Sequence, residues 1–295
     1  MGKLNIMEKC KLAIIILNYN SWKLTLKFIN EQLSKVNLPK HTKIVVVDNN
    51  SSNDSLKHLE KMQKKYNYIL LRSKGNNGYA AGNNIGLKWA FDNGFEYGLV
   101  ANTDIIFENS EDINKMLSIF KMDSRVGVVS PRVFTSSGVE MNRNLFRPSV
   151  YDLTFGKIRY RKKGRTLPSE LRGKNNDYCY NYRPQGCCMI VDLKKMNSIN
   201  YMDEHTFLYM EEPILAEKLL RKRIKGACCL NVKIIHNHST TVQSIAKQRQ
   251  IYKWQNASEV YYYKKYRHFN YLEIKLCTAF TALYFYTFRK LKKFN

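Results

Sequence analysis

Proline and glycine are scarce, 6 and 14 in 295 residues, which excludes collagen-like chains and chains dominated by flexible linkers. Cysteine is sparse and odd in number, seven in all. Cys187-Cys188 and Cys228-Cys229 are adjacent pairs, which suits neither a disulfide framework nor zinc-ligand spacing and fits a reduced, cytosolic setting. Met1–Lys11 holds no apolar core of a secretory signal before the first strand-like run. The uncharged C-terminal run Leu276–Phe288 has 13 residues, short of the ~20 that span a bilayer. No internal repeat and no low-complexity segment is present. Acidic residues are outnumbered, 24 against 49 Lys and Arg.

What is present is the material for a core and a strong positive charge. Apolar residues make up 44% of the chain and aromatics 13%, so wholesale disorder is excluded. The length suits one large domain or two small ones. A formal net charge of +25 fits nucleic acid, an anionic membrane surface or an acidic substrate. The excess is regional. Between Lys157 and Lys174 eight basic residues stand against Glu170, and between Ala246 and Asn295 eleven stand against Glu259 and Glu273.

The first half alternates strand-like and helix-like patterns. Leu12–Leu17, Ile44–Val47, Tyr68–Leu71, Tyr97–Ala101 and Val126–Val129 read as buried strands. Amphipathic stretches lie between them, the first opening at Ser21 as a candidate N-cap. Such alternation implies right-handed crossovers and a mostly parallel sheet with helices on both faces. Ligands then sit beyond the carboxyl ends of the strands, which directs attention to Asn18-Tyr19-Asn20, Asp48 and Asn102-Thr103-Asp104. Phe134–Pro184 is polar, basic, rich in tyrosine and weakly periodic, as in a lid, a binding loop or a disordered stretch. Gly186–Val191 and Cys228–Ile235 read as later strands with the helix Pro213–Arg223 between them.

Four blocks carry chemistry: Val45–Ser55 (VVVDNNSSNDS), Gly75–Gly86 (GNNGYAAGNNIG), Asn102-Thr103-Asp104, and Gly186–Val191 followed by Asp203–Glu212 (DEHTFLYMEE). In this order they resemble the inverting glycosyltransferases of family 2, in particular the rhamnosyltransferase-like branch, over about Leu12 to Thr241. The resemblance implies a GT-A fold, an α/β architecture with a Rossmann-like, mostly parallel central sheet. It divides 1–245 into a nucleotide-sugar-binding half, about 1–110, and an acceptor and catalytic half, 111–245. It implies a nucleotide-sugar donor held by Asn18, Tyr19, Asp48, Asn77, Gly78, Asn83, Asn102, Thr103 and Asp104, with UDP- or dTDP-linked sugars favoured. Asp48 would accept from a pyrimidine N3–H. Asp104 would bind Mn²⁺ or Mg²⁺ with His236 or His238 as a further ligand, since a diphosphate leaving group needs a cation held by hard donors. Glu212, expected as an N-cap beside Pro213, takes the role of base, with Glu211 as the alternative. The family usually has Glu-Asp here and a further Asp two residues on; this chain has Glu211-Glu212 and then Ile214.

Gly78, Gly82 and Gly86 either bring a backbone close to the ligand or let a helix pack tightly. Their spacing is not Gly-x-Gly-x-x-Gly, which counts against a dinucleotide oxidoreductase. Residues 246–295 form a basic, aromatic helical extension. In it, Leu276–Phe288 beside Arg289, Lys290, Lys292 and Lys293 suits either a helix in the headgroup region of an anionic leaflet or a terminal helix packed on the domain. The expected enzyme acts at the cytoplasmic face of the membrane in bacterial-type surface glycan synthesis, on a lipid-linked or polysaccharide acceptor. A nucleic-acid-binding protein is the alternative, but no nucleic-acid motif occurs and no nucleic-acid partner is expected. A sugar-phosphate nucleotidyltransferase would need a glycine-rich phosphate loop where Asn18–Trp22 has no glycine. A family-2 fold inactivated by the changes at Glu212 and Ile214 is the remaining reading.

Overall fold

The computed structural model describes residues 10–156, 167–237 and 248–291. Strand β1, Lys11–Asn18, is buried along almost its whole length. Its alternation divides the core. Leu12, Ile14 and Ile16 face one side with Leu26, Phe28 and Leu117; Ala13 and Ile15 face the other with Ala80, Leu87 and Leu215. A strand apolar on both faces belongs in the middle of a sheet covered by helices, and β1 lies between β2 (His41–Asp48) and β4 (Tyr97–Ala101).

The remaining strands are β3 (Tyr68–Arg72), β5 (Ile105–Phe107), β6 (Val126–Thr135), β7 (Tyr178–Asn181), β8 (Cys188–Asp192) and β9 (Lys225–His236). Among the described residues they form one sheet in the order β3-β2-β1-β4-β8-β6-β9-β5, with β7 also paired to β9. The expected parallel pairing holds from β3 to β4. Beyond β4 the sheet is mixed: β8 runs antiparallel to β4 and β6, and β5 and β7 antiparallel to β9, while β6 and β9 are parallel.

The helices are α1 (Trp22–Glu31), α2 (Ser55–Tyr66), α3 (Tyr79–Asp92), α4 (Asp112–Met122), α5 (Val150–Leu153), α6 (Leu193–Ser198), α7 (Glu211–Arg221), α8 (Gln248–Lys265) and α9 (Tyr271–Leu291). Ser21 precedes α1 but makes no side-chain cap. α3 lies unusually close to the sheet. A Cβ on Gly82 would stand 2.5 Å from Leu17, and one on Gly86 2.5 Å from Ile15. These two glycines therefore serve helix-on-strand packing, the second of the two roles expected for them.

The 134–184 region is anchored by ion pairs as well as apolar contacts. Arg132 and Arg143 both meet Glu140, and Arg147 forks onto the buried Glu217 with two bonds of 2.7 Å. Residues 157–166, with most of the first basic cluster, lie outside the described part. The C-terminal helices pack on the domain: Tyr262, Tyr263, Tyr266 and Cys277 share a cluster with Ile214 of α7. No helix among the described residues is long and apolar enough to cross a membrane.

Candidate functional site

The carboxyl ends of β1 and β2 are cross-linked by polar side chains. Asn18, fully buried, donates to Asp48 Oδ1 at 2.8 Å and accepts from Thr25 at 3.0 Å. Asp48 is 2% exposed and accepts from the Ser51 hydroxyl and backbone N–H. Buried acceptors need such donors, and here the donors fold the Asn49–Asp54 turn back over the strand end. Asn20, at φ 56°, takes the backbone N–H groups of Ser52 and Asn53. Asn49 bridges onward to Asn76 at 2.9 Å and the Gly78 carbonyl at 3.3 Å. Tyr19 is half-buried beside this network and Asn77 exposed. The structure thus joins three predicted blocks at one sheet edge, with Asp48 engaged mainly in ordering its own turn.

Gly78 starts α3 at φ 98°, and a Cβ there would fall 2.1 Å from the Phe207 carbonyl oxygen. Glycine is required on both counts. The next residue, Tyr79, donates its N–H to that carbonyl at 3.0 Å. Its hydroxyl donates to the Gly186 carbonyl at 2.8 Å and to Asn102 Oδ1 at 3.3 Å. Burial lifts the Tyr79 phenol well above its ordinary pKa, and the charges of Cys187, Glu211, Glu212 and Asp104 add to this. Tyr79 is therefore a neutral donor at the centre of the predicted residues. Asn83 donates to the Tyr79 carbonyl at 3.0 Å, and its Oδ1 is buried with no hydrogen-bond partner.

Asn102, Thr103 and Asp104 form the turn between β4 and β5, all half-buried. The antiparallel pairing of β5 with β9 sets Ile105 opposite His236. Asp104 Oδ1 and His236 Nε2 end 3.2 Å apart, with side chains 15% and 11% exposed. The spacing is close to the roughly 3.0 Å between neighbouring ligand atoms of an octahedral ion with bonds of about 2.1 Å. A carboxylate and an imidazole suit Mn²⁺, so these two residues fit a divalent ion. Among the described residues no third Asp, Glu, His or Cys completes a cluster. His238, the other expected ligand, lies outside the described residues.

Glu211 and Glu212 open α7, and the cap is Met210, at φ 68° after Tyr209 at φ 73°. Glu212 is thus the second helical residue rather than the N-cap, and Pro213 the third, because the two left-handed residues before it turn the chain into the helix. Glu212 Oε1 accepts the Gly186 N–H, and Arg183 stands 3.7 Å from Oε2. The Oε1 of Glu211 is sealed from solvent without a hydrogen-bond partner. Burial raises its pKa to about 7; backbone N–H groups at Glu211 and Tyr209 oppose this and the charge of Glu212 reinforces it.

Three contributors were not anticipated: Arg183, the central role of Tyr79, and the fastening of the Asp203–Met210 loop. Asp203 accepts from the hydroxyls of Tyr261, at 2.8 Å, and Tyr266, and from the backbone of His205. The Leu208 carbonyl accepts from Ser258 at 2.9 Å. The run Tyr261-Tyr262-Tyr263 at the end of α8, with Tyr266 just after it, is the trace of this in the sequence. A cavity of about 540 Å³ lined by Glu96, Tyr97, Lys121 and Asp192 lies at the other end of β4 and contains none of these groups.

Residues 13–184 match the family model described as glycosyl transferase family 2. The chain is 29% identical over 242 residues to the low-salt glycan biosynthesis hexosyltransferase Agl10 of Haloferax volcanii, covering 82% of this chain and 72% of the relative. Its fold resembles the mannosyltransferase PcManGT of Pyrobaculum calidifontis, solved with GDP-Man and Mn²⁺, at a TM-score of 0.61 and 12% identity over 94% of this chain and 70% of that one. It also resembles S. aureus TarS at a TM-score of 0.55 and 17% identity; 93% of this chain is covered but only 43% of TarS. Residues 1–349 of TarS match as well, in a complex with UDP-GlcNAc.

Proposed function

The chain belongs to glycosyl transferase family 2, and from that premise we propose that it moves a hexosyl group from a nucleoside-diphosphate sugar to an acceptor hydroxyl with inversion. The observation that carries the reading is the Tyr79 hydroxyl bridging Asn102 and the Gly186 carbonyl, with Glu212 on the Gly186 N–H and Asp104 beside His236, next to the Asn18–Asp48 turn. Asn18, Tyr19 and Asp48 belong to the nucleoside end, with the pyrimidines of UDP- or dTDP-sugars favoured. Asn77, Gly78, Asn83 and Thr103 are assigned to the same donor site.

Asp104 and His236 would hold Mn²⁺ or Mg²⁺. Such an ion supplies positive charge to the departing diphosphate. Glu212 takes the acceptor proton. Its carboxylate is oriented by the Gly186 N–H and lies 3.7 Å from Arg183. Glu211, with a pKa of about 7, holds a proton for much of the time near neutrality, which concentrates the charge of the pair on Glu212. As the acceptor oxygen bonds to the anomeric carbon, its proton passes to Glu212. The bond from that carbon to the diphosphate oxygen breaks, and the electron pair leaves on the phosphate. The acceptor is a lipid-linked or polysaccharide glycan at the cytoplasmic face of the membrane, in surface glycan synthesis.

The test is kinetic. Glu212→Gln leaves donor affinity intact and cuts turnover by ~10²-fold or more, as expected for a lost general base. Full turnover in Glu212→Gln combined with loss in Glu211→Gln would reassign the base to Glu211.

A further inference from the structure

α9 is apolar on two opposite faces. Cys277, Thr281 and Phe285 are buried on one, with the Phe285 ring 5.2 Å from that of Tyr252 on α8. On the other face Leu272, Leu276 and Leu283 recur at helical spacing, and Leu272 and Leu283 are 76% and 59% exposed. A helix that packs on a domain by one face normally presents charge on the opposite one. Here leucine occupies it. Phe155, which follows α5 and is 67% exposed, sets its ring edge-on against Phe280 at 4.7 Å, and Tyr151 is exposed beside it. Two segments far apart in sequence thus make one outward apolar patch, the kind of surface that marks an interaction site.

Charge identifies the occupant. Phe155 runs directly into Lys157, Arg159, Arg161, Lys162 and Lys163, and the leucine stripe into Arg289, Lys290, Lys292 and Lys293. The chain carries a net charge of +25, so a second copy would bring like charge to the patch, whereas an anionic lipid leaflet brings the opposite sign. With no membrane-crossing helix among the described residues, the patch lies along the surface. We propose that α9 and the Tyr151–Phe155 segment together form a docking face for an anionic leaflet. The leucines and Phe155 enter the acyl boundary, and the net positive charge of the chain favours anionic over neutral headgroups. This deepens the lipid-linked acceptor proposed above, since it would hold the site near a membrane-borne glycan.

The experiment uses the full chain and vesicles of phosphatidylcholine with roughly one-third phosphatidylglycerol, with pure phosphatidylcholine as the control. The protein is expected to sediment with the anionic vesicles and not with the neutral ones. The pair Leu272→Ser with Leu283→Ser should weaken binding by about tenfold or more, and Phe155→Ser alone by a smaller factor. All three substitutions are at exposed positions, and matched circular dichroism melts establish that the variants fold. Equal partition of wild type and the leucine pair overturns the proposal. So does a dimer in sedimentation velocity that the leucine pair dissociates, which would make a second copy the occupant. Nucleotide binding is titrated on the same samples; its absence in the wild type would remove the transferase reading while leaving the vesicle result to stand or fall separately.

Discussion

Replacing Glu211 by glutamine removes an ionisation that the fold opposes. The carboxyl is half-buried, its Oε1 has no hydrogen-bond partner, and its pKa stands at about 7 instead of 4.5. Holding such a group ionised costs about 3 kcal/mol, at 1.36 kcal/mol for each tenfold change in proton affinity. The native state binds the proton more tightly than the unfolded chain, so stability declines as pH rises from about 4.5 to about 7 and the penalty is constant above that. Glu211→Gln pays no such penalty. In urea titrations at pH 5, 6, 7 and 8 the variant should exceed the wild type by about 1 kcal/mol at pH 5 and by about 3 kcal/mol at pH 8. A gap of the same size at every pH would mean that packing rather than ionisation is responsible. No gap at pH 8 would mean that the carboxyl is solvated and that its placement beside Glu212 has been misread.

Gly78→Ala should destabilise the protein by about 3 kcal/mol, since it strains a residue at φ 98° and drives a methyl into the Phe207 carbonyl; a melting temperature equal to wild type would refute that contact. Asp203→Asn should cost about 1–3 kcal/mol through the hydrogen bonds from Tyr261, Tyr266 and His205. Burial would raise the Asp203 pKa, but those bonds outweigh it and hold the carboxyl well below its usual range. Its contribution is therefore complete above about pH 4 and fades as the medium becomes more acid, so the gap between variant and wild type should narrow in acid. A gap independent of pH would count against the ionised hydrogen-bond cluster.

The first half of the fold was legible because its strands are continuous apolar runs closed by polar turns. Tyr97–Ala101 was placed to the residue and the three strands before it to within a few, whereas β6 runs six residues past the expected end at Val129. Short elements escaped. β5 has three residues, Ile-Ile-Phe, and β7 four, Tyr-Cys-Tyr-Asn, too few for a period to declare itself. β5 matters most, because its pairing with β9 is what carries His236 to Asp104. The motif residues were legible as a set from their order along the chain, whereas their division of labour was not. Asp48 is turned into its own loop, and Gly82 and Gly86 face β1. The start of α7 depends on two left-handed residues, Tyr209 and Met210, that no propensity favours. The aromatic bonds that fasten Asp203 link residues some sixty apart, beyond the reach of any local pattern.

The central claim is a nucleotide-sugar site completed by a divalent ion at Asp104 and His236. It is tested most directly by calorimetric titration of the purified protein with UDP, dTDP and GDP, in Mn²⁺ or Mg²⁺ and again in EDTA, for wild type and Asp104→Ala. Binding of a pyrimidine diphosphate that needs the ion and disappears in Asp104→Ala is the predicted result. Affinity unchanged by EDTA or by the substitution would contradict the assignment of the metal, and no nucleotide binding under any of these conditions would contradict the site itself.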